Sequence, residues 1–420
     1  MSNTNLATVC GFFLLSLSFN ADAYSIEQAW KEAKKNDPEL ASAGIVAQKG
    51  ELSVKASKQQ LMPSADLNVR GDWSENQNSQ YANVSLSQSL WDSQLYTGVE
   101  QAKADSERAK INRDNALSLL GKRLLNAYFE LALAQSEHRL ATVEFEDAQS
   151  LEQIVSRAYQ AGRNKSVDVD DARLNTLNDS SRVLDASSNL EQKKIVLAAL
   201  TQVMPKDIDE LNPKAVDVPA ALGHNLDDWL GMATESGYAL KLARQQVAAK
   251  ALDRQRAKEG YQPKVTASIG YAISDVNRDG EATASLSLNL PFDLNGQIKS
   301  GVEAASLDEL DAKQQVRKEE QRLTSSIRQQ FSQLKNSEEK LAIEELRVNQ
   351  QMTLLESKKR LYDSGLLTLS DLIEEQDKLF STRTDLEKQR YSVWQNRVEL
   401  LYTSGGLNED AVALIAKAFD

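Results

Sequence analysis

The chain has 420 residues, a formal net charge of −12, 6% aromatics, seven prolines and a single cysteine. That acidic balance excludes nucleic acid as a partner, because a phosphate-binding surface needs clustered Lys and Arg. Abundant Ala, Leu, Gln, Glu, Lys and Ser favour long helices packed through small side chains over a compact globule.

At the N-terminus, Val9 to Phe19 is apolar and Ala21-Asp22-Ala23 supplies the small residues that signal peptidase accepts. Residues 1–23 therefore read as a secretory signal cleaved before Tyr24, although no Lys or Arg precedes the apolar run. The only cysteine, Cys10, lies inside this run, and Val9 is too bulky for the position before a lipidated cysteine. The exported chain then holds no cysteine, so neither disulfides nor thiol chemistry enters. No later run reaches about 18 apolar residues, so any membrane crossing falls to strands.

Two halves follow the same plan: helix, strand, strand, long helix, break, helix. Shifted by about 200 positions, the chain matches itself. Ala33, Leu40, Ala43 and Leu52 meet Ala233, Leu240, Ala243 and Leu252, and Pro63 meets Pro263. Beyond Asp92 and Asp293 the offset grows by about three, and Tyr159-x-x-Gly162 meets Tyr362-x-x-Gly365. The repeats are expected at 24–204 and 226–404, with an irregular, Pro- and Gly-bearing connector at 205–225 and a closing segment at 405–420. No proline occurs from Gln94 to Tyr159, and apolar residues recur there at helical spacing. A helix of that length would extend about 100 Å, as coiled coils and tubes require. Its counterpart runs from Ser300 to Tyr362.

Four segments switch to period-two patterning. Ala65, Leu67, Val69, Gly71 and Trp73 alternate with Asp66, Asn68, Arg70 and Asp72. Ala82, Val84, Leu86 and Leu90 alternate with Asn83, Ser85, Ser87 and Ser89, with Gln88 interrupting the apolar face. Val265 to Ser274 and Thr283 to Leu290 repeat the pattern in the second half. Each is about ten residues long, with one apolar and one small polar face, which suits a tilted strand between lipid and water. A soluble hairpin with one buried face is the bland alternative. Four strands cannot close a membrane barrel, and open edges cannot face lipid, so a membrane role requires strands pooled from several copies.

The order of elements, duplicated in one chain, resembles the TolC-like outer-membrane efflux proteins. Local motifs add to the likeness: Asn36-Asp37-Pro38-Glu39-Leu40, the strand-to-helix junctions Gln88-Ser89-Leu90-Trp91-Asp92 and Leu290-Pro291-Phe292-Asp293, the turns Tyr159 to Asp171 and Tyr362 to Glu374, and Gly405-Gly406-Leu407-Asn408-Glu409. The resemblance implies a mainly α fold with a small β part. Long antiparallel coiled-coil helices form a periplasmic tunnel, and two β-hairpins per chain contribute to a trimeric twelve-stranded outer-membrane barrel. It also implies an adaptor and an inner-membrane transporter as partners, and an iris-like aperture at the tunnel's inner end.

On that resemblance Asp371 and Glu374 are aperture residues. They lie three apart on one helix face, so three copies would stack two acidic rings. Thr368-x-x-Asp371 is equally a helix-start pattern. Asp168 aligns with Asp371, and the family's equivalent aspartate bonds the tyrosine matching Tyr362 to hold the aperture shut. Leu367 stands where well-known members carry an arginine that makes a second lock. The turn tips Gly162, Arg163, Gly365 and Leu366 match the family's adaptor contacts, although glycine at a helical turn has a purely conformational reading.

Asp275-x-Asn277-x-Asp279-Gly280 opens like a calcium loop, but Leu286 stands where the bidentate Glu belongs, so hairpin-turn chemistry fits better. His138 and His224 are single and lack ligand-like neighbours, so the expectation is no metal, no cofactor and no enzyme. The leading reading is a passive export channel in the outer membrane. The alternative is a soluble periplasmic coiled-coil adaptor or scaffold.

Overall fold

The structure, a computed structural model, describes residues 24–420 except 74, 76–77, 212–222, 224, 276–278, 418 and 420. The expected signal segment 1–23 with Cys10, His224, Asn277 and most of the expected connector lie outside the described residues. The first half runs α1 (Ile26–Asn36), α2 (Pro38–Gln59), β1 (Ser64–Trp73), β2 (Asn78–Trp91), α3 (Ser93–Gln160) and α4 (Ser166–Thr201). The second runs α5 (Leu226–Ser236), α6 (Tyr238–Lys258), β3 (Lys264–Ser274), β4 (Glu281–Asn289), α7 (Gln297–Asp363) and α8 (Leu369–Ser404), followed by α9 (Glu409–Ala416).

Each half opens on two helices, where the sequence pattern suggests one. Pro38 explains the first break: it lacks an N–H and disfavours helical backbone at the residue before it. Asp37 accordingly sits extended at ψ 119°, and its Oδ1 caps α2 by accepting from the Leu40 N–H at 2.7 Å. At the equivalent break in the second half no proline follows, and Gly237 makes the turn, also at ψ 119°.

The four strands form one antiparallel sheet in the order β1-β2-β3-β4. Register places the apolar residues of all four strands on one face, with Leu67 opposite Val84, Leu86 opposite Ile269 and Ala267 opposite Leu286. On the other face Ser64, Ser87, Ser268 and Ser285 fall in one row, their hydroxyls paired at 3.0 and 2.7 Å. The apolar face is bare: Leu67 is 70% exposed, Val69 73% and Leu286 70%. A bulge between Ser89 and Trp91 shifts the register, so Trp91 rather than Leu90 pairs with Val265. Exposed aromatics flank the sheet, with Trp73 at its far end and Trp91, Tyr96 and Phe292 where the long helices begin.

Helix α3 has 68 residues and α7 has 67, each about 100 Å long at 1.5 Å per residue. Each folds back on its shorter partner, α3 on α4 and α7 on α8. The main core lies part-way along these helices. There Leu120, Leu124, Tyr128 and Phe129 of α3 meet Trp30, Trp229, Trp394 and the C-terminal Phe419. Phe419 stacks on Phe129 with centroids 5.3 Å apart and takes Tyr128 edge-on at 5.9 Å. The Tyr128 hydroxyl donates to the Tyr24 carbonyl and accepts from the Asp209 N–H, tying both the segment before α1 and the connector to α3.

Candidate functional site: the hairpin tips

The two tips are built alike. After α3, Gly162 takes φ +72°, its N–H donates to the Tyr159 carbonyl, and the Arg163 N–H reaches back to the Ala158 carbonyl at 2.9 Å. After α7, Gly365 takes the same φ, and Gly365 and Leu366 bond the Tyr362 and Leu361 carbonyls in the same way. This is the pair of hydrogen bonds that closes a helix on a left-handed residue, which glycine adopts without a Cβ penalty. Gly162, Arg163, Gly365 and Leu366 are all exposed, Leu366 at 76%.

α8 starts on a full capping box, and α4 on its returning half alone, because the Lys165 side chain has no acceptor to offer. The Asp168 carboxylate accepts from the Lys165 N–H at 2.9 Å. The Asp371 carboxylate accepts from the Thr368 N–H at 3.3 Å and from the Thr368 hydroxyl, while Thr368 Oγ1 accepts from the Asp371 N–H. The helix-start reading of both aspartates is therefore realised within one chain. Hydrogen bonding by Thr368 holds the Asp371 carboxyl below its ordinary value of 3.8.

Asp168, Tyr362 and Asp371 line one cleft of 530 Å³ between the tips, together with Asn164, Leu366 and Leu367. The Asp168–Tyr362 bond that the resemblance implies is not among those formed in this conformation. Tyr362 instead takes a hydrogen bond from the Asn164 amide at 3.4 Å. Beneath it, Val155, Ala172 and Leu369 pack with Tyr362 and Ile373 into a small apolar cluster that joins the two hairpins. Glu374 stands outside the cleft lining, exposed, in an ion pair with Lys378 at 2.6 Å. That lysine, one turn along, holds the Glu374 carboxyl below its ordinary value. Sequence reasoning missed Lys378 and Asn164; only the four-residue spacing from Glu374 to Lys378 signals the first.

Other sequence expectations find plain roles. Tyr271 donates to the Asp279 carbonyl at 3.0 Å and Gly280 takes φ +78°, which is turn chemistry at the β3–β4 end. His138 lies within α3. Among the described residues no group of His, Cys, Asp and Glu could hold a metal, and no helix is long and apolar enough to cross a membrane.

The family model for outer membrane efflux proteins matches residues 29–202 and again 229–406, one match in each half. The chain belongs to that family. This efflux protein is 21% identical to the outer membrane protein TolC of Escherichia coli K12, over 97% of the chain and 88% of TolC. It is 22% identical to the proteases secretion protein PrtF of Dickeya chrysanthemi, over 97% of the chain and 94% of PrtF. Its fold matches that of CusC with a TM-score of 0.80 at 15% identity, covering 91% of this chain and 92% of that one. The outer membrane channel CmeC of Campylobacter jejuni matches with a TM-score of 0.77 at 16% identity, covering 94% and 90%. The protein is an efflux channel of the outer membrane, and the soluble-scaffold alternative falls away.

Proposed function

We propose that three copies assemble into a passive duct. Their sheets close into one barrel of about twelve strands in the outer membrane, and their long helices continue it as a tunnel through the periplasm. The observation that carries this reading is the four-stranded sheet itself. Its apolar face is bare, and β1 and β4 each leave one edge unpaired. In lipid every unsatisfied edge group costs several kcal/mol, so only closure with other copies makes this sheet a membrane element. The exposed aromatics at its two ends suit the two membrane–water interfaces.

Each copy brings two repeats, 24–204 and 226–404, joined by the connector 205–225 and closed by 405–420. Cargo comes from an inner-membrane transporter through a periplasmic adaptor that grips the tips at Gly162, Arg163, Gly365 and Leu366. PrtF and the alkaline protease secretion protein AprF of Pseudomonas aeruginosa are named for protease secretion, which supports an export role of this kind. The chain itself performs no chemistry. Asp371 and Glu374 ring the aperture, and Asp168 and Tyr362 brace it from within the same cleft.

Native mass spectrometry of the detergent-extracted particle tests the assembly. Three chain masses in one particle, released only with detergent, are expected. A monomer that stays in solution without detergent overturns the duct.

A further inference from the structure

Among the described residues, three ion pairs join the α3–α4 hairpin to the α7–α8 hairpin. Lys122–Glu399 and Lys388–Glu137 lie towards the main core, at 2.5 and 3.5 Å. The third is nearer the tips: Arg182 Nη1 of α4 donates to Asp377 Oδ1 of α8 at 2.7 Å, and to Asp179 Oδ1 of its own helix at 2.6 Å. Asp179 is 1% exposed and also takes a bond from the Asn175 amide, while the guanidinium lies over the Phe380 ring at 5.5 Å. From α3, Glu144 faces the same group and accepts no hydrogen bond among the described residues. The charged groups gathered there are Glu144 and Asp147 from α3, Asp179 and Arg182 from α4, and Asp377 and Arg383 from α8.

This arrangement can release without leaving a bare buried charge. If α8 parts from α4, Arg182 keeps Asp179, its neighbour three residues away, and Asp377 passes to water from a site where it is already 40% exposed. A buried pair broken with no such fallback would strand a charge at a cost of several kcal/mol. The geometry points to Arg182, Asp179 and Asp377 as a reversible latch between the two hairpins, with Glu144 as the group whose protonation tightens it. This rests on the reading that the duct narrows at the hairpin tips.

The direction of the pH effect follows from charge. With Glu144 neutral, Asp147, Asp179 and Asp377 already stand against Arg182 and Arg383 at the latch. Ionising Glu144 adds a fourth carboxylate. Burial, then repulsion from Asp179, Asp147 and Asp377, push the Glu144 carboxyl from 4.5 up to about 7. Parting α8 takes Asp377 away and uncovers Glu144, while Asp147 and Asp179 stay beside it, so the group moves part of the way back towards its ordinary value. The joined state therefore binds the proton more tightly. Its advantage is complete at acid pH and is lost as pH rises through about 7. Each pKa unit is worth a factor of ten, and with solvent screening the closed-to-open ratio should change by about tenfold per protomer.

Single-channel conductance of the trimer from about pH 5 to about pH 8 tests this. Wild type should conduct more as pH rises. Glu144→Gln should hold the low, acid-like conductance throughout, and Arg182→Ala should conduct freely at every pH, with Arg182→Lys restoring much of the closure. A pH response that persists in Glu144→Gln, or wild-type closure in Arg182→Ala, overturns the latch. Hydrogen exchange provides a readout independent of conduction. Arg182→Ala should speed exchange in residues 371–383 of the intact trimer. Unchanged exchange counts against the latch, whereas intact trimers that never conduct count against the duct.

Discussion

At Asp371 one carboxylate closes a helix cap and faces the cleft between the tips. Those roles separate chemically, because Asn still accepts from a backbone N–H but carries no charge. Asp371→Asn should keep α8 intact and weaken block of the open channel by a multivalent cation by about tenfold or more. Glu374→Gln should do less, since Lys378 already pairs that carboxylate. Because the folded-state value of Asp371 lies below 3.8, block should persist as pH falls and fail only below that point. Conductance titrations with the cation check all three statements, and equal block in Asp371→Asn removes this residue from the aperture. Gly237 gives a second residue-level test. A Cβ there would lie 2.5 Å from the Ala233 carbonyl oxygen, so Gly237→Ala should lower stability by about 1–3 kcal/mol, read from thermal unfolding.

How much of the tips was legible varies by residue. Gly162, Gly365 and Thr368-x-x-Asp371 announce their turn because each acts through its own backbone within a few positions. Asn164 on Tyr362 and Arg182 on Asp377 were not legible. These pairs are 198 and 195 residues apart, and nothing in local spacing distinguishes such a side chain from one on a solvated helix face. Asp168 illustrates the limit of alignment by resemblance: its place in the repeat was readable, but its carboxylate goes to Lys165 rather than Tyr362.

At the scale of elements, the strands were the easiest to read, because period two sorts apolar from polar faces whatever the partner. Leu67, Leu86, Ile269 and Leu288 all fall on the face expected of them. The bulge before Trp91 was hidden, since it depends on register with β3. The break at Gly237 was hidden too, because glycine permits a kink without demanding one, whereas Pro38 demands it. The two sheet faces should respond differently to charge. Leu286→Arg should destabilise the assembled barrel by about 2–4 kcal/mol, and Ser285→Arg, on the opposite face, by much less. Heat resistance of the oligomer on gels distinguishes them, and equal losses would argue against lipid on the apolar face.

For the whole molecule, duplication and helix length were written in the sequence. The core that unites the halves was not. Phe419 packs on Phe129, and Trp30, Trp229 and Trp394 converge there from three separate helices, a meeting of chain ends that only the folded arrangement reveals. This core anchors both hairpins, leaving their tips joined by the small apolar cluster, the Asn164–Tyr362 bond and the Arg182 latch. A molecule firmly held at mid-length and lightly held at its tips suits a duct that opens at one end.

The most direct measurement is single-channel recording of the purified wild-type protein in a planar bilayer, with no nucleotide or partner present. Discrete, cation-preferring steps that need no energy source are predicted. A folded, detergent-stable trimer that never conducts under any condition of pH or salt contradicts the account.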